Sequence, residues 1–164
     1  MKLLFLISLL AFSMTNQLHT PQQIEKNGMV VSIEHLGDSI RFQLEAPTEG
    51  WIAIGFNETD QLKGNYLIMG TVRNGKVWVE EHHTFAPGDF RSYADLGIKS
   101  SVSHPVGTEK EGITRISFQL PIKSSHPLGK DLIENKVYTL LMAYSREDDF
   151  RHHSIMRTTV RIRL

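Results

Sequence analysis

The sequence predicts an all-β protein, an antiparallel β-sandwich of about eight to ten strands. Apolar and polar residues alternate with a period of two along much of the 164-residue chain, which is the spacing of strands with one buried face. No long stretch combines capping residues with the i, i+3, i+4 apolar spacing of a helix. Apolar residues make up 40% of the chain and charged residues 22%, a balance typical of one globular domain with its own core.

Five segments account for the predicted core strands. Residues 40–45, 115–120 and 159–164 alternate apolar with polar side chains, so each predicts a strand with one face in the core and one in water. Residues 51–56 and 137–144 are apolar at both parities, which predicts central strands covered on both faces. Two sheets packed face to face accommodate both kinds of strand.

Turn residues separate these strands. Asn74-Gly75 predicts a two-residue hairpin between strands at 67–72 and 76–81, because both turn residues tolerate positive φ. The segments 89–103 and 123–135 lack regular periodicity and predict long connections that cross between sheets. The pattern therefore favours an immunoglobulin-like sandwich.

Residues 1–17 predict a signal peptide. Lys2 precedes the apolar run 3–12, which has the length of a signal-peptide core and is too short to span a bilayer. Small side chains permit cleavage after Ser13, and a cut nearer Gln17 is also open. We expect residues 18–164 to form a single domain that is secreted or periplasmic and has no membrane span after cleavage.

Composition and motifs exclude several functions. The chain has 18 basic and 18 acidic residues, a balance that gives no general attraction to nucleic acid or anionic lipid. It has no cysteine, and therefore no disulfide and no thiol nucleophile. The sequence contains no Gly-x-Ser-x-Gly elbow, His-Glu-x-x-His motif or Gly-rich phosphate loop. We therefore expect a ligand-binding domain rather than an enzyme.

Two histidine pairs are candidate metal ligands, since neutral imidazole binds haem iron, zinc and copper. The pairs are His82-His83 and His152-His153. Neighbours on a strand point to opposite faces, so at most one member of each pair enters a given pocket unless the backbone bulges. Half-exposed residues at strand ends are the alternative interpretation for both pairs.

Several short motifs together resemble the DOMON domain, a secreted β-sandwich family whose branches hold haem b or a sugar. They are the strand Trp51-Ile52-Ala53-Ile54-Gly55-Phe56, the loop around Gly64, the Ala143-Tyr144-Ser145 segment and the late His152-His153. The family pattern places a Met two residues before the loop Gly and an Asp at its end. In this sequence those positions are Leu62 and Tyr66.

The resemblance implies a haem b site whose iron ligand is His153 or His152. A strand continued back from residues 159–164 would turn His152 inward, a bulge would reverse the choice, and the spacing to the last strand favours His153. Leu62 replaces the usual second ligand and cannot coordinate iron. Met69 is the nearest thioether, although Met in a strand is more often core filler, and five-coordinate iron or His82 as partner stay open.

Aromatic residues support an alternative, a sugar- or small-ligand-binding module. Aromatic faces stack on sugar rings as well as on porphyrin. Trp78 alternates with Val77 and Val79 and so points away from their face, whereas Trp51 lies in an apolar run and is expected in the core. A haem site would imply electron transfer with a redox partner protein. A structural or interaction domain without a cofactor is the third possibility.

Overall fold

The computed structural model describes residues 21–164, so the leader predicted for residues 1–17 lies outside the described residues. In chain order the strands are β1 (Gln22–Lys26), β2 (Met29–His35), β3 (Ser39–Ala46), β4 (Ile52–Asn57), β5 (Tyr66–Arg73), β6 (Lys76–Ala86), β7 (Asp89–Ser92), β8 (Ser103–Lys110), β9 (Ile113–Pro121), β10 (Val137–Tyr144) and β11 (Met156–Arg163). Residues 21–164 contain no helix at all, and therefore none long and apolar enough to cross a membrane.

The strands form two antiparallel sheets. The first has the order β1-β2-β3-β9-β8 and the second the order β11-β10-β4-β5-β6-β7. The predicted all-β sandwich is confirmed, with eleven strands instead of about eight to ten. The count was low because β1 is almost entirely exposed and β7 has only four residues, so neither shows a clear alternation.

Hairpins and crossings lie where the turn residues predict them. Asn74 and Gly75 have φ of 50° and 72°, and they join β5 to β6 with Arg73 opposite Lys76. This is the backbone of a type I′ turn, whose twist matches that of the paired strands. The segment 123–135 crosses from β9 to β10 as predicted. The segment 89–103 differs from the prediction, because residues 89–92 form β7 and only residues 93–102 cross to β8.

Aromatic side chains from both sheets meet in the sandwich core. The ring of Phe42 on β3 lies 5.5 Å from that of Phe56 on β4 and 5.6 Å from that of Phe118 on β9. Tyr138 on β10 meets Phe56 edge-on at 6.2 Å. All four side chains are buried, and such tilted and edge-on pairs add to the stabilisation from burial itself.

The central strands of the second sheet are buried on both faces, as their apolar runs predicted. All six residues of β4 are buried, and so are six of the eight residues of β10. One face of these strands packs into the sandwich core. The other face needs a second cover, which the loops of the functional site supply.

We expect Phe42→Ala to lower the free energy of unfolding by about 3–5 kcal/mol, because it leaves a cavity where three rings meet. Phe85→Ala is the matched control, since Phe85 is only partly buried, and it should cost less. Denaturant unfolding of both variants measures the difference. Equal losses would contradict the assignment of Phe42 to the centre of the core.

Candidate functional site

A second apolar cluster covers the outer face of the second sheet. We call it the outer-face cluster, and it consists of Trp51, Ala53, Met69, Leu141 and Ala143. These side chains point away from the sandwich core because they alternate with residues that face it. Four partly buried side chains pack against the cluster, namely Leu62, Leu67, Phe90 and Phe150.

The first covering loop is residues 58–65, here called the Leu62 loop. The side chain of Asn57 fixes it by donating to the carbonyl oxygens of Gln61 at 2.7 Å and Lys63 at 3.0 Å. Its far end is tied to β6, where Gly64 N–H donates to Thr84 O at 2.8 Å. These bonds hold Leu62 against the outer-face cluster.

The second covering loop is residues 145–155, here called the histidine loop. Its ends continue the pairing of β4 with β10: Ser145 N–H donates to Trp51 O at 2.9 Å, and Trp51 N–H donates to Glu147 O at 3.0 Å. In its middle, Asp148 accepts hydrogen bonds from Thr71 and Arg73 of β5. A side chain at Gly50 would collide with this loop, because an added Cβ would lie 2.5 Å from Arg146 C.

A cavity of about 180 Å³ lies between the two loops and the sheet. Its apolar lining is Trp51, Ala53, Leu62, Leu67, Met69, Gly88, Phe90, Leu141, Ala143 and Phe150. Its polar lining is Asn65, Thr84, Arg151, His152, His153, Ser154 and Arg157. The cavity therefore has an apolar floor and a cationic rim, and no carboxylate lines it.

Four of the five predicted cofactor-binding residues line this one cavity. Leu62, Met69, His152 and His153 all contribute to its wall. Met69 is 2% exposed and belongs to the outer-face cluster. It therefore both fills apolar space, as a core residue does, and lines the cavity. Trp78 does not reach the cavity.

Both late histidines lie on the histidine loop and not on a strand. β11 begins only at Met156, so strand parity does not decide between His152 and His153. Both side chains are exposed. Ser145 Oγ donates to His153 O at 3.0 Å, and His152 N–H donates to Asp149 O at 2.9 Å, which fixes the backbone of the pair.

Two buried polar atoms at the cavity have no hydrogen-bond partner among residues 21–164. They are the indole nitrogen of Trp51 and Oδ1 of Asn65, whose residues are 4% and 3% exposed. Asn65 lies over Gly55, where any Cβ would collide with the amide oxygen. A buried donor and a buried acceptor that remain unpaired cost stability, so both are available to a ligand.

Trp78 lies in a separate depression on the outer face of β6 and β7. As predicted, it points away from Val77 and Val79, and it is 53% exposed. The depression also contains Glu80 and His82. As strand geometry predicts, His82 and His83 diverge: His82 faces outward, and His83 Nδ1 contacts Leu128 O at 2.9 Å.

His82 is buried, and neither of its ring nitrogens has a hydrogen-bond partner in the part of the chain that the structure describes. Its ring meets Phe90 and Phe150 edge-on at 5.6 and 5.8 Å, and its Nε2 lies 3.6 Å from Glu80 Oε2. Burial lowers the pKa of His82 from 6.5 to about 4, and the nearby Asp95 only partly offsets this. His82 is therefore neutral at physiological pH.

Glu81 is a buried carboxylate that the sequence pattern does not indicate. It lies next to Glu80 on β6 and is 2% exposed. It accepts hydrogen bonds from Tyr66, from Ser100 Oγ at 2.7 Å and from Ser101 N–H at 2.5 Å. Burial, and then Glu81, raise the pKa of the Tyr66 phenol. This network ties β5 and β6 to the crossing segment before β8.

The described residues, 21–164, contain no group of three or more His, Cys, Asp or Glu side chains placed to hold a metal ion. Among these residues, the predicted metal ligands His152 and His153 therefore have no third His, Cys, Asp or Glu side chain beside them to complete a metal site. A haem iron needs none, because the porphyrin supplies four of its ligands and the protein only the axial ones.

A sequence profile of the DOMON domain matches residues 25–145, more than half of the chain. The chain belongs to the DOMON family. MOXD1 homolog 2 of Drosophila melanogaster is 24% identical to it over 113 residues, which are 69% of this chain. The chain spans only 15% of the length of that relative.

Two solved structures share the fold of this DOMON domain. The cytochrome b domain of pyranose dehydrogenase from Coprinopsis cinerea aligns with a TM-score of 0.62 over 88% of both chains, at 11% identity. The cytochrome domain of Myriococcum thermophilum cellobiose dehydrogenase aligns with a TM-score of 0.64 over 88% of this chain and 81% of that chain, at 9% identity. At such identities the likeness establishes the fold alone.

We expect the stability of this DOMON domain to fall by about 3 kcal/mol between pH 6.5 and pH 4 through His82 alone. The unfolded histidine binds a proton near pH 6.5 and the folded one only near pH 4, so acid favours the unfolded chain in that window. Denaturant unfolding across the window measures the loss. His82→Phe should flatten the pH dependence by this amount, and an unchanged slope would contradict the burial of a neutral His82.

Proposed function

We propose that this DOMON domain binds haem b in the cavity of the outer-face cluster and transfers electrons. The observation that carries the proposal is that one apolar cavity gathers His152, His153, Met69 and Leu62. Imidazole and thioether are the side-chain ligands of electron-transfer haems. A bound haem supplies one-electron redox chemistry, which the side chains of this cavity do not possess themselves.

The donor set fits a haem, and the cavity accommodates one only when the histidine loop moves outward. The floor is apolar and Met69 lies in it, while both histidines lie in the covering loop. The volume of 180 Å³ is below the ~300–1,000 Å³ of ordinary ligand pockets. Arg151, His152 and His153 are exposed, so moving this part of the loop uncovers little apolar surface.

Each residue of the site has a proposed role. His153 or His152 would hold the iron of the haem, and Leu62 occupies the position where the family pattern has its Met. The thioether of Met69 is the remaining candidate for a second protein ligand, and without it the iron would have one protein ligand only. Arg157 contributes a cation at the rim, where it suits the carboxylates of a haem.

The two similar structures support this proposal, since both are cytochrome domains of dehydrogenases. By that analogy the partner of this domain is a redox protein or a catalytic domain. We propose no catalytic activity for the domain itself, because its sequence carries no catalytic motif.

A small ligand without iron is the second candidate for the same cavity. The small volume favours it, and so do the unpaired Trp51 indole nitrogen and Asn65 Oδ1. A sugar hydroxyl accepts from the indole nitrogen and donates to the amide oxygen. Haemin titration separates the two candidates, because a small ligand gives no Soret band.

We also propose that the domain works outside the cytoplasm, on the grounds of the leader in residues 1–17. The protein recovered from the medium or periplasm should begin between about residues 14 and 20. N-terminal sequencing or intact-mass measurement tests this. An intact Met1 on the exported protein would contradict it.

We expect the purified protein to show a Soret band, as isolated or after addition of haemin. Of the single variants His152→Ala and His153→Ala, one should abolish the band and the other should spare it, because one imidazole holds the iron. Absorbance spectroscopy of the two variants beside wild type measures this. His35→Ala is the control, since His35 lies on β2 in the other sheet.

Variants on the opposite side of the cavity complete the experiment. Leu62→Met should tighten haem binding and shift the spectrum toward a six-coordinate low-spin form, because it restores a thioether. Met69→Leu should leave wild-type haem uptake intact if the iron is five-coordinate. Haem uptake that survives the double variant His152→Ala/His153→Ala would overturn the proposed ligand.

A further inference from the structure

The depression around Trp78 is large enough to be a binding site of its own. We call it the Trp78 depression, and its volume is about 570 Å³, within the ~300–1,000 Å³ of ordinary ligand pockets. It lies on the outer face of β6 and β7, beside the cavity of the proposed haem site. Phe90 and Phe150 line both spaces and separate them.

Trp78, Glu80 and His82 line up along one face of β6. They occupy alternate positions of the strand, about 7 Å apart from one to the next. The indole of Trp78 is 53% exposed although the neighbouring strand residues Val77 and Val79 pack into the core. An exposed indole beside a carboxylate offers a ligand both an apolar face and a negative charge.

The negative charge of the depression is not neutralised by its arginines. Arg151 is paired with Asp149 at 3.4 Å, and Arg73 donates to Asp148 O while its guanidinium lies 5.8 Å over the Phe150 ring. No arginine or lysine of the described chain lies within 4.0 Å of the carboxylates of Glu80 and Asp95, the distance that defines an ion pair.

The surroundings of Glu80 penalise its negative charge. Burial raises the pKa of the Glu80 carboxyl, the neighbouring Asp95 raises it further, and Arg73 lowers it less than these two raise it. A cation placed between Glu80 and Asp95 removes this repulsion. The two carboxylates, which line the same depression, thus favour a positively charged ligand group.

The unpaired ring of His82 supports a polar ligand group in this depression independently of the two carboxylates. It is 4% exposed, lines the depression, and has no hydrogen-bond partner on either ring nitrogen within the described part of the chain. A neutral imidazole has one nitrogen that accepts a hydrogen bond. A ligand N–H satisfies that acceptor, and the same ligand then contacts the rings of Phe90 and Phe150 that flank His82.

Other ligand classes fit less well. A metal ion is disfavoured because no three His, Cys, Asp or Glu side chains of residues 21–164 are placed to hold one. An anion would face the unpaired carboxylates of Glu80 and Asp95. A neutral sugar would stack on Trp78 but would leave the repulsion between the carboxylates in place.

We propose that the Trp78 depression binds the protonated amino group of a small aromatic amine. The ammonium donates to Glu80 and Asp95 and to the free nitrogen of His82, and the aromatic part packs on Trp78. Ammonium–carboxylate hydrogen bonds are among the strong ones, and an aromatic ring that stacks on an indole adds to the stabilisation from burial itself. None of His152, His153 and Met69 lines the depression, so the proposed iron ligands take no part in this site, although Phe90, Phe150 and Arg151 line both spaces.

Calorimetric titration of the haem-free protein with benzylamine tests the proposal. Benzyl alcohol, benzoate and glucose are the matched probes without the cation. Benzylamine should bind and quench the exposed Trp78, while the three probes should bind at least about tenfold more weakly. Nα-acetyl-lysine amide is the further probe: weaker binding than benzylamine is expected, and tighter binding would overturn the aromatic part of the proposal.

Charge and stacking variants locate the site. Asp95→Asn and Glu80→Gln should each weaken benzylamine binding about tenfold or more, and Trp78→Leu about two- to tenfold. Asp38→Asn, an exposed turn residue beside the first sheet, is the control and should leave binding unchanged. Trp78 is exposed, so Trp78→Leu keeps the experiment interpretable even if a carboxylate variant unfolds.

Three results would overturn the proposal. One is benzyl alcohol or glucose binding as tightly as benzylamine, and another is undisturbed benzylamine binding in the Glu80→Gln/Asp95→Asn double variant. The third is the absence of benzylamine binding at millimolar concentration. The Soret band of Trp78→Leu should equal that of wild type, so failure of this proposal and failure of the haem proposal are distinguished.

Discussion

The central strands of the second sheet are buried on both faces, and the rest of the structure follows from this constraint. Their side chains alternate inward and outward, so the burial of every position of β4 requires two separate covers. The first sheet covers one face, and the Leu62 and histidine loops cover the other. Because loops pack less completely than a sheet does, the second cover leaves the cavity.

Some buried polar groups hold the loops in place through hydrogen bonds, and others lie unpaired at the cavity and at the Trp78 depression. Asn57, Ser145 and Glu81 satisfy their hydrogen bonds by fixing loop backbone. Among the buried side-chain atoms of residues 21–164 that lack a partner, those of Trp51 and Asn65 belong to residues that line the cavity, those of His82 to a residue that lines the Trp78 depression, and the remaining one is the hydroxyl of Tyr93. Since buried polar groups are normally paired, the unpaired atoms at these two places support the two proposed sites.

The strands and the buried central pair could be predicted because each depends on local periodicity. The Asn74-Gly75 turn and the outward direction of Trp78 follow in the same way from backbone geometry. The burial of Glu81 could not be predicted, since its partners Ser100 and Ser101 come from a distant crossing segment. Nor could the direction of His152 and His153, because strand parity has no meaning in a loop.

In the histidine loop, the residues that anchor the loop to the sheet are different from the residues that would contact a ligand. Its anchors are the pairing of Ser145 with Trp51 and the contacts of Asp148 with β5, whereas His152 and His153 are exposed at its tip. Substitutions at exposed positions change stability by only about 0.5 kcal/mol. The tip residues can therefore be replaced at little cost to the stability of the sandwich that carries them.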